Sequence, residues 1–347
     1  MIPDREANIG VYFVDMQPSP VVYSADRAAR RVSKMDQHRQ IVDPRRFLRL
    51  YGTTPPRADT PEEKIARAAE RLAERLRALT LDGIVVYDVQ EEQGRTSMPR
   101  PFPFLPTSDS RAYSRRLREL TGLTPITYKC IADITEEGWQ PWLDDTAQGY
   151  GIDHLSLVGL PTSRGASSAL PLPRAMELAA AHPAGFTLGG VAIAERHTAR
   201  RSESERLRRK AEAGCDYFIS QAVYSPEPTI RLLTDYAREC AERGITPRRI
   251  VLTFVPCGRE KTLTFLRWLG IEIADGTAAT ILNDPTPLTR SIAICRAHLR
   301  AILDHDYIRT LPLGLNVESV SIFKDEIEGS VVLTHALQEA AREYGLL

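Results

Sequence analysis

The chain has 347 residues, of which 43% are hydrophobic and 26% are charged, and its 45 basic residues balance 45 acidic ones. This composition is typical of a globular protein with one large or two medium domains. Zero net charge argues against a nucleic-acid partner, and no segment approaches the roughly 20 uncharged apolar residues of a membrane-spanning helix.

Residues 1–45 stand apart from the pattern that follows them. Residues 12–16 predict an extra strand, and residues 24–40 predict a basic helix. The N-terminus lacks the basic-then-apolar order of a signal peptide, and the five cysteines lie far apart without a CxxC pair. We therefore expect a cytoplasmic protein with buried thiols and no metal site, in which residues 1–45 form an N-terminal extension.

From residue 46 to residue 347, short apolar runs alternate with longer amphipathic stretches. Short runs that are apolar throughout are typical of parallel strands buried on both faces. The predicted strands are 47–53, 83–89, 125–131, 154–160, 186–193, 217–223, 249–255 and 313–321. The predicted helices are 61–79, 108–121, 136–148, 173–182, 199–213, 226–243, 258–268 and 323–343.

Eight strand–helix units over about 300 residues predict an α/β fold of the closed (β/α)₈ TIM-barrel type. An open doubly wound sheet usually carries a GxGxxG turn after its first strand, and none follows residues 47–53. The predicted organisation is thus the extension 1–45 followed by a barrel catalytic domain, 46–347.

In a TIM barrel the substrate meets the loops that follow the C-terminal ends of the strands. This rule selects a set of polar residues from the predicted strand ends. They are Asp88, Gln90, Glu91, Glu92, Arg95, Asp133, Glu195, His197, Gln221, Tyr224, Asn316, Glu318 and Ser321.

Two of these positions have alternative interpretations. The Gln221 side chain offers one acceptor and two donors for a planar heterocycle, or it satisfies loop carbonyls as a buried glutamine. His197 follows Glu195 by two residues, so the carboxylate could orient the imidazole, or the pair could cap the helix that begins near residue 199. We expect Gln221, Tyr224, His197 and the acidic residues after the second strand to share one cleft.

Several segments resemble the methylenetetrahydrofolate reductase family. Residues 53–65 and 121–135 are similar to its turn into the first helix and to its third strand, and the similarity spans about residues 46–345. The individual matches include Glu195 and His197, Lys210, Ala213-Gly214, Ser220-Gln221 and Tyr224.

This resemblance implies a (β/α)₈ barrel with FAD at its mouth, reduced by NADH or NADPH, from which hydride passes to 5,10-methylenetetrahydrofolate to give 5-methyltetrahydrofolate. It further implies that Gln221 contacts the pterin or the nicotinamide, that Tyr224 stacks nearby and that Lys210 lies beside a cofactor phosphate.

The chain departs from the family pattern at the residues that contact the flavin and at the residue that donates the proton. The flavin contacts align with residues 87–89, Thr127 and 159–161, which match poorly, and the family's proton-donating glutamate aligns with Gly52. Flavin then becomes optional, and hydride could pass directly from the nicotinamide between aromatic walls such as Tyr87 and Tyr224. The expected site residues near the second and third strands are Asp88, Glu92 and Asp133 as candidate acids and Tyr87 and Gln90 as binding residues.

The sequence therefore predicts a methylenetetrahydrofolate reductase-like oxidoreductase that uses NADH or NADPH and a tetrahydrofolate substrate, with FAD left open. One alternative is a folate-dependent one-carbon transferase on the same barrel. Another is an inactive barrel that serves as a binding subunit, since a fold alone never proves activity. The expected partner is a small-molecule folate, without nucleic acid or membrane, and homo-oligomerisation is left open.

Overall fold

The computed structural model describes residues 40–89, 98–132, 134–159 and 170–347. Eight parallel strands pair in chain order, and β1 closes the ring against β8. The strands are β1 (Leu48–Thr53), β2 (Gly83–Val86), β3 (Thr124–Cys130), β4 (His154–Val158), β5 (Thr187–Ala192), β6 (Tyr217–Ala222), β7 (Arg249–Phe254) and β8 (Leu313–Glu318). The predicted (β/α)₈ barrel is confirmed.

Helices surround the barrel and connect its strands. They are α1 (Glu62–Leu76), α2 (Ser110–Thr121), α3 (Glu136–Gln148), α4 (Leu172–Ala180), α5 (Glu203–Glu212), α6 (Pro226–Arg243), α7 (Glu260–Trp268), α8 (Asp275–Leu282), α9 (Pro287–Leu303), α10 (Asp306–Arg309) and α11 (Lys324–Glu343). A short 3₁₀ turn, Ala194–Arg196, follows β5. Side chains of Asp109, Thr135 and Ser202 accept backbone N–H groups at the starts of α2, α3 and α5, which satisfies donors that a helix start leaves unpaired.

The barrel interior is a packed core. Alternate strand residues such as Leu50, Val85 and Val251 point inward and pack together, as the two-residue period of a strand requires. Tyr217 lies across Gly189, where an added Cβ would stand 2.3 Å from the tyrosine ring, so glycine is needed at this close approach.

The connection between β7 and β8 is longer than the sequence pattern indicated. The pattern predicted one helix after β7, whereas four helices, α7 to α10, lie before β8. Of these, α9 packs between α6 and α11 and carries the buried residues Cys295 and Leu299. All five cysteines of the chain are buried, as expected.

The N-terminal end of the barrel is closed by residues 40–46. Arg249, only 2% exposed, donates to the backbone carbonyls of Ile41, Asp43 and Arg46 and to that of Leu313 on β8. Burial lowers the pKa of this guanidinium to about 10. Residues 40–46 therefore cover the end of the barrel opposite the carboxyl ends of the strands. The predicted strand 12–16 and most of the predicted helix 24–40 lie outside the described residues.

Among the described residues, no helix is long and apolar enough to cross a bilayer. The same part of the chain holds no group of three or more histidine, cysteine, aspartate or glutamate side chains placed to bind a metal ion.

Candidate functional site

A cavity of about 730 Å³ opens at the carboxyl ends of the strands, and we call it the mouth cavity. Its size falls in the range typical of small-molecule sites, and this end of a barrel is where such sites are found. The ends of β1, β2, β3, β4 and β8 contribute to its lining, together with α1, α7 and the segment 100–107. Among its polar and aromatic lining residues are Arg57, Arg75, Tyr87, Asp88, Arg100, Phe102, Lys261, Phe265, Trp268 and Glu318.

Glu318, the last residue of β8, places a carboxyl group in the mouth cavity. Burial raises the pKa of Glu318 to about 7, although hydrogen bonds with Tyr87 and Asn316 act in the opposite direction. A carboxyl with a pKa near the ambient pH can give up a proton or take one during a reaction. Glu318 is therefore the strongest acid–base candidate among the described residues.

The Glu318 carboxyl occupies the space in front of Gly52 on the neighbouring strand. Gly52 pairs with Glu318 across the β1–β8 junction, and a Cβ added at Gly52 would stand 2.9 Å from Glu318 Oε2. Gly52 is the position that the family resemblance aligns with a proton-donating glutamate. In this chain a carboxyl group fills the same part of the cavity from β8.

Tyr87 lines the mouth cavity and forms a small network with the Glu318 carboxyl. Its hydroxyl accepts a hydrogen bond of 3.0 Å from Asn316 Nδ2, and its ring packs edge-on against Tyr128 at 4.7 Å. Burial, with the adjacent Glu318 carboxyl, raises the pKa of Tyr87 well above its ordinary value. The phenol therefore stays protonated and available as a donor.

Asn316 completes this network from the middle of β8. It is fully buried, and its Nδ2 also lies 3.3 Å from Thr253 Oγ1 and 3.5 Å from Glu318 Oε2. The amide oxygen Oδ1 has no hydrogen-bond partner among the described residues. Asn316 itself does not line the mouth cavity, so its amide acts on the site through Tyr87 and Glu318.

Asp88 also lines the mouth cavity, and it bridges two strand ends. Its Oδ2 accepts the backbone N–H of Cys130 at 2.9 Å and lies 3.8 Å from Lys129 Nζ. Asp88 thus fixes the turn after β2 against β3 and adds a second carboxyl group to the cavity wall. The predicted site residues Gln90, Glu92 and Asp133 lie outside the described residues and stay predictions.

Gln221 and Tyr224 do not line the mouth cavity as expected. Gln221 Nε2 donates to the carbonyl of Leu269 at 2.7 Å, which matches the alternative of a glutamine that satisfies a loop carbonyl. Tyr224 is only 2% exposed, and its hydroxyl donates to the carbonyl of Val255. The bend of the chain after α7 brings Leu269 between Gln221 and the cavity, which sequence spacing could not reveal.

His197 and Glu195 are likewise engaged away from the mouth cavity. His197 Nδ1 accepts the backbone N–H of Glu203 at 3.2 Å, while Nε2 pairs with Asp235 at 2.9 Å. His197 thus contacts the start of α5, which begins at Glu203 rather than near residue 199, so the helix-capping alternative describes His197 but not Glu195. Glu195 accepts the backbone N–H of Glu272, and burial raises the pKa of this carboxyl.

Lys210 does not line the mouth cavity. Its ammonium donates to the carbonyl of Val191, and its aliphatic chain packs near Gly190 on β5. Burial lowers the pKa of Lys210, and the nearby Glu203 opposes that shift. We expected one cleft to hold Gln221, Tyr224, His197 and the acidic residues after the second strand. The structure instead forms the candidate site at the ends of β1, β2 and β8.

Glu318 and Asn316 are among the polar residues at the predicted strand ends, but the sequence alone did not predict them as site residues. Two features of the sequence could have pointed to Glu318. A closed barrel pairs its first and last strands, and Gly52 on the first strand stands where the family pattern has an acid. Adjacent parallel strands end side by side, so a residue missing from β1 can be replaced from β8.

No protein-family model matches the chain, and no curated protein matches it significantly. A solved structure of an uncharacterized protein from Clostridium thermocellum, which binds two copies of 5-methyl-5,6,7,8-tetrahydrofolic acid, matches with 30% identity and a TM-score of 0.73. The match covers 88% of this chain and 98% of that one.

Weaker matches include a Xanthomonas albilineans dihydropteroate synthase bound to 4-aminobenzoic acid, with 13% identity, a TM-score of 0.43, and 85% and 93% of the two chains covered. Another is the Pyrococcus furiosus N-(5'-phosphoribosyl)anthranilate isomerase, with 10% identity, a TM-score of 0.42, and 86% and 99% covered. Both are too distant to bear on the ligand of this site. On the strength of the first match, the chain belongs to the same family as the Clostridium thermocellum protein.

Proposed function

We propose that this protein binds a reduced folate in the mouth cavity and reduces 5,10-methylenetetrahydrofolate to 5-methyltetrahydrofolate with NADH or NADPH. The observation that carries the proposal is the Glu318 carboxyl, whose pKa is raised to about 7 inside a cavity of small-molecule size. The folate ligand of the related Clostridium thermocellum protein supports the substrate class.

In the proposed reaction Glu318 acts as the general acid. The methylene carbon of the substrate bridges N5 and N10, and it becomes electrophilic when its bond to N10 breaks. Glu318 donates its proton to the departing N10, which leaves an iminium cation between N5 and the carbon. Tyr87 and Asn316 hold the carboxyl in position and stabilise the carboxylate that forms.

Hydride from the reduced nicotinamide then adds to the iminium carbon. This step gives the N5-methyl group and releases the oxidised nicotinamide, so one hydride and one proton are consumed in each turnover. Direct transfer requires only that the two rings lie face to face at near-attack distance with water excluded.

The described residues do not fit a flavin. The resemblance places one flavin contact at Thr127, but this side chain is fully buried, and its hydroxyl donates to Ser114 on α2, outside the barrel. The Asp88 carboxyl, at another such position, holds the Cys130 backbone. The proposed reaction therefore has no flavin step.

The experiment measures NADH oxidation and 5-methyltetrahydrofolate formation by the purified protein, together with its visible absorption spectrum. We expect a colourless protein that oxidises NADH or NADPH only when 5,10-methylenetetrahydrofolate is present. Glu318→Gln should lower kcat by about 10²- to 10⁴-fold, because the amide keeps the shape but cannot donate a proton as an acid. Glu63→Gln, an exposed change on α1, is the matched control and should leave kcat unchanged.

Other results would point to other functions. Flavin absorbance in the active protein would contradict direct transfer. Transfer of the one-carbon unit to an acceptor without NADH oxidation would favour the transferase. Folate binding with neither reaction would favour a binding subunit.

A further inference from the structure

The Asn316 amide faces more hydrogen-bond acceptors than it has hydrogens to donate. Its Nδ2 lies 3.0 Å from Tyr87 Oη, 3.3 Å from Thr253 Oγ1 and 3.5 Å from Glu318 Oε2. A side-chain amide carries two N–H hydrogens, so three acceptors cannot each receive a full hydrogen bond. Tyr87, at the shortest distance, takes one hydrogen, and Thr253 and Glu318 share the other.

Thr253 is held in place by an irregularity in the neighbouring strand. The pairing of β6 with β7 shifts register between Ile219 and Ala222. At this shift Ser220 Oγ accepts the Thr253 N–H at 2.9 Å and donates to the Gln221 carbonyl at 2.8 Å. Such irregularities redirect the side chains beside them. Ser220 thus fixes the Thr253 backbone, and with it the position of the Thr253 hydroxyl.

The shared amide hydrogen lies in the barrel interior, away from solvent. Thr253 is 2% exposed and Asn316 is fully buried, and neither residue lines the mouth cavity. In such an environment a hydrogen bond to a carboxylate is stronger than it is in water. How Asn316 divides its second hydrogen therefore affects how well the Glu318 carboxylate is stabilised.

We propose that Thr253 is a positioning residue for the Glu318 acid, because its hydroxyl oxygen draws the second Asn316 amide hydrogen away and so keeps the carboxyl protonated. This inference deepens the proposed function and rests on it for the role of Glu318 as an acid. Burial raises the pKa of Glu318 to about 7, and the hydrogen bond with Asn316 opposes that rise. Without the Thr253 oxygen the hydrogen turns to Glu318, so the pKa of Glu318 should fall.

The other groups around Glu318 stay the same when only the Thr253 oxygen is removed. The phenols that interact with the Glu318 charge from β2, β3 and β1 are Tyr87, Tyr128 and Tyr51. Burial raises the pKa of each phenol, so all three stay neutral near pH 7. The charged residues that line the mouth cavity with Glu318 are Arg57, Arg75, Asp88, Arg100 and Lys261.

The test is a pH titration of Glu318 that is followed in two ways. One readout is the carboxyl carbon NMR signal of Glu318, assigned by its loss in Glu318→Gln, and the other is kcat/KM for methylenetetrahydrofolate. In Thr253→Val, which removes the hydroxyl and keeps the shape, both titrations should move to lower pH by roughly half a unit to one unit. Above pH 7 this shift lowers kcat/KM by about three- to tenfold, because fewer molecules carry the proton.

Three further variants make the test specific to the Thr253 oxygen. Thr253→Ser keeps the oxygen and should titrate like the unmodified protein. Asn316→Leu removes the donor and should move both titrations to higher pH. The matched control is Thr124→Val, the same change at a buried residue that begins β3 at the other end of the barrel, and it should move neither titration.

An unmoved or raised NMR titration of Glu318 in Thr253→Val would overturn the proposal, even if the kcat/KM profile moved. If Thr253→Val does not fold, Thr253→Ala removes the same oxygen with less bulk, and the same fall in the pKa of Glu318 is required of it. A lowered NMR titration without NADH oxidation by any form of the protein would instead reject the reductase function and leave the role of Thr253 standing.

Discussion

At the scale of single residues, the site depends on how burial changes one carboxyl group. Burial of the Glu318 carboxyl at the end of β8 raises its pKa, and hydrogen bonds with Tyr87 and Asn316 compensate only in part. The protonated form is therefore favoured up to about pH 7, which is unusual for a glutamate. Asp88, by contrast, is occupied by the Cys130 backbone.

The first prediction concerns the pH dependence of catalysis. Because the proposed reaction needs the protonated form of Glu318, kcat/KM for methylenetetrahydrofolate should fall as the pH rises through about 7. The residual activity of Glu318→Gln should not show this fall in kcat/KM near pH 7. Initial rates across neutral pH would measure it, and an unchanged profile in the variant would assign the step to another group.

The second prediction concerns stability. The pKa of Glu318 is raised from 4.5 to about 7 in the folded protein, so folding stability due to this group is full below pH 4.5 and is lost as the pH rises to about 7. The Glu318→Gln variant should not lose folding stability in this way, because glutamine does not titrate. Urea unfolding should therefore show the variant gaining stability relative to the unmodified protein between these pH values, with a constant difference above them.

At the scale of secondary-structure elements, the β1–β8 junction decides where the acid comes from. Parallel pairing sets Gly52 beside Glu318, and the absence of a side chain on β1 leaves room for the carboxyl from β8. Any side chain at residue 52 must displace Glu318 or the Tyr87 ring, both within about 3 Å of the added Cβ.

The third prediction tests this exchange between strands. Gly52→Ala should destabilise the protein by about 1–3 kcal/mol through overpacking. Glu318→Ala should remove the part of that cost that comes from Glu318 Oε2, although the Cβ of residue 318 and the Tyr87 ring stay 3.0 Å from the added Cβ, so the two changes should be partly non-additive in a double-mutant cycle. Gly52→Glu/Glu318→Ala should recover part of the activity that Glu318→Ala loses. Additive stability effects would show that the two residues do not compete for one space.

At the scale of the whole molecule, the two ends of the barrel have separate tasks. The mouth holds the candidate site, while Arg249 and residues 40–46 close the other end. The guanidinium satisfies four backbone carbonyls, so its loss would leave buried acceptors without donors.

The fourth prediction follows from this separation. Arg249→Met should lower the free energy of unfolding by about 3 kcal/mol or more, because buried polar groups lose their partners. The affinity for 5-methyltetrahydrofolate, measured well below the melting temperature, should not change. Arg248→Met, at the half-exposed neighbouring position, should leave both quantities nearly unchanged. A loss of ligand affinity in Arg249→Met with normal stability would contradict the assigned role.

The amino-acid sequence by itself determined the barrel. Apolar runs, amphipathic stretches and helix-start residues are local signals, and the strand order of a (β/α)₈ barrel follows the chain. The sequence also indicated that Tyr87 and Asp88 lie near the mouth, because they directly follow a strand, and both line the mouth cavity; their roles stay predictions.

Only the tertiary structure decided which strand-end residues share the mouth cavity. Gln221, His197 and Lys210 carry suitable chemistry, but backbone groups from Leu269, Glu203 and Val191 engage their side chains. Glu318 meets Gly52 because ring closure joins strands that are more than 260 residues apart in the chain. Hydrogen-bond partners and pKa values depend on such long-range contacts, and local sequence patterns do not contain them.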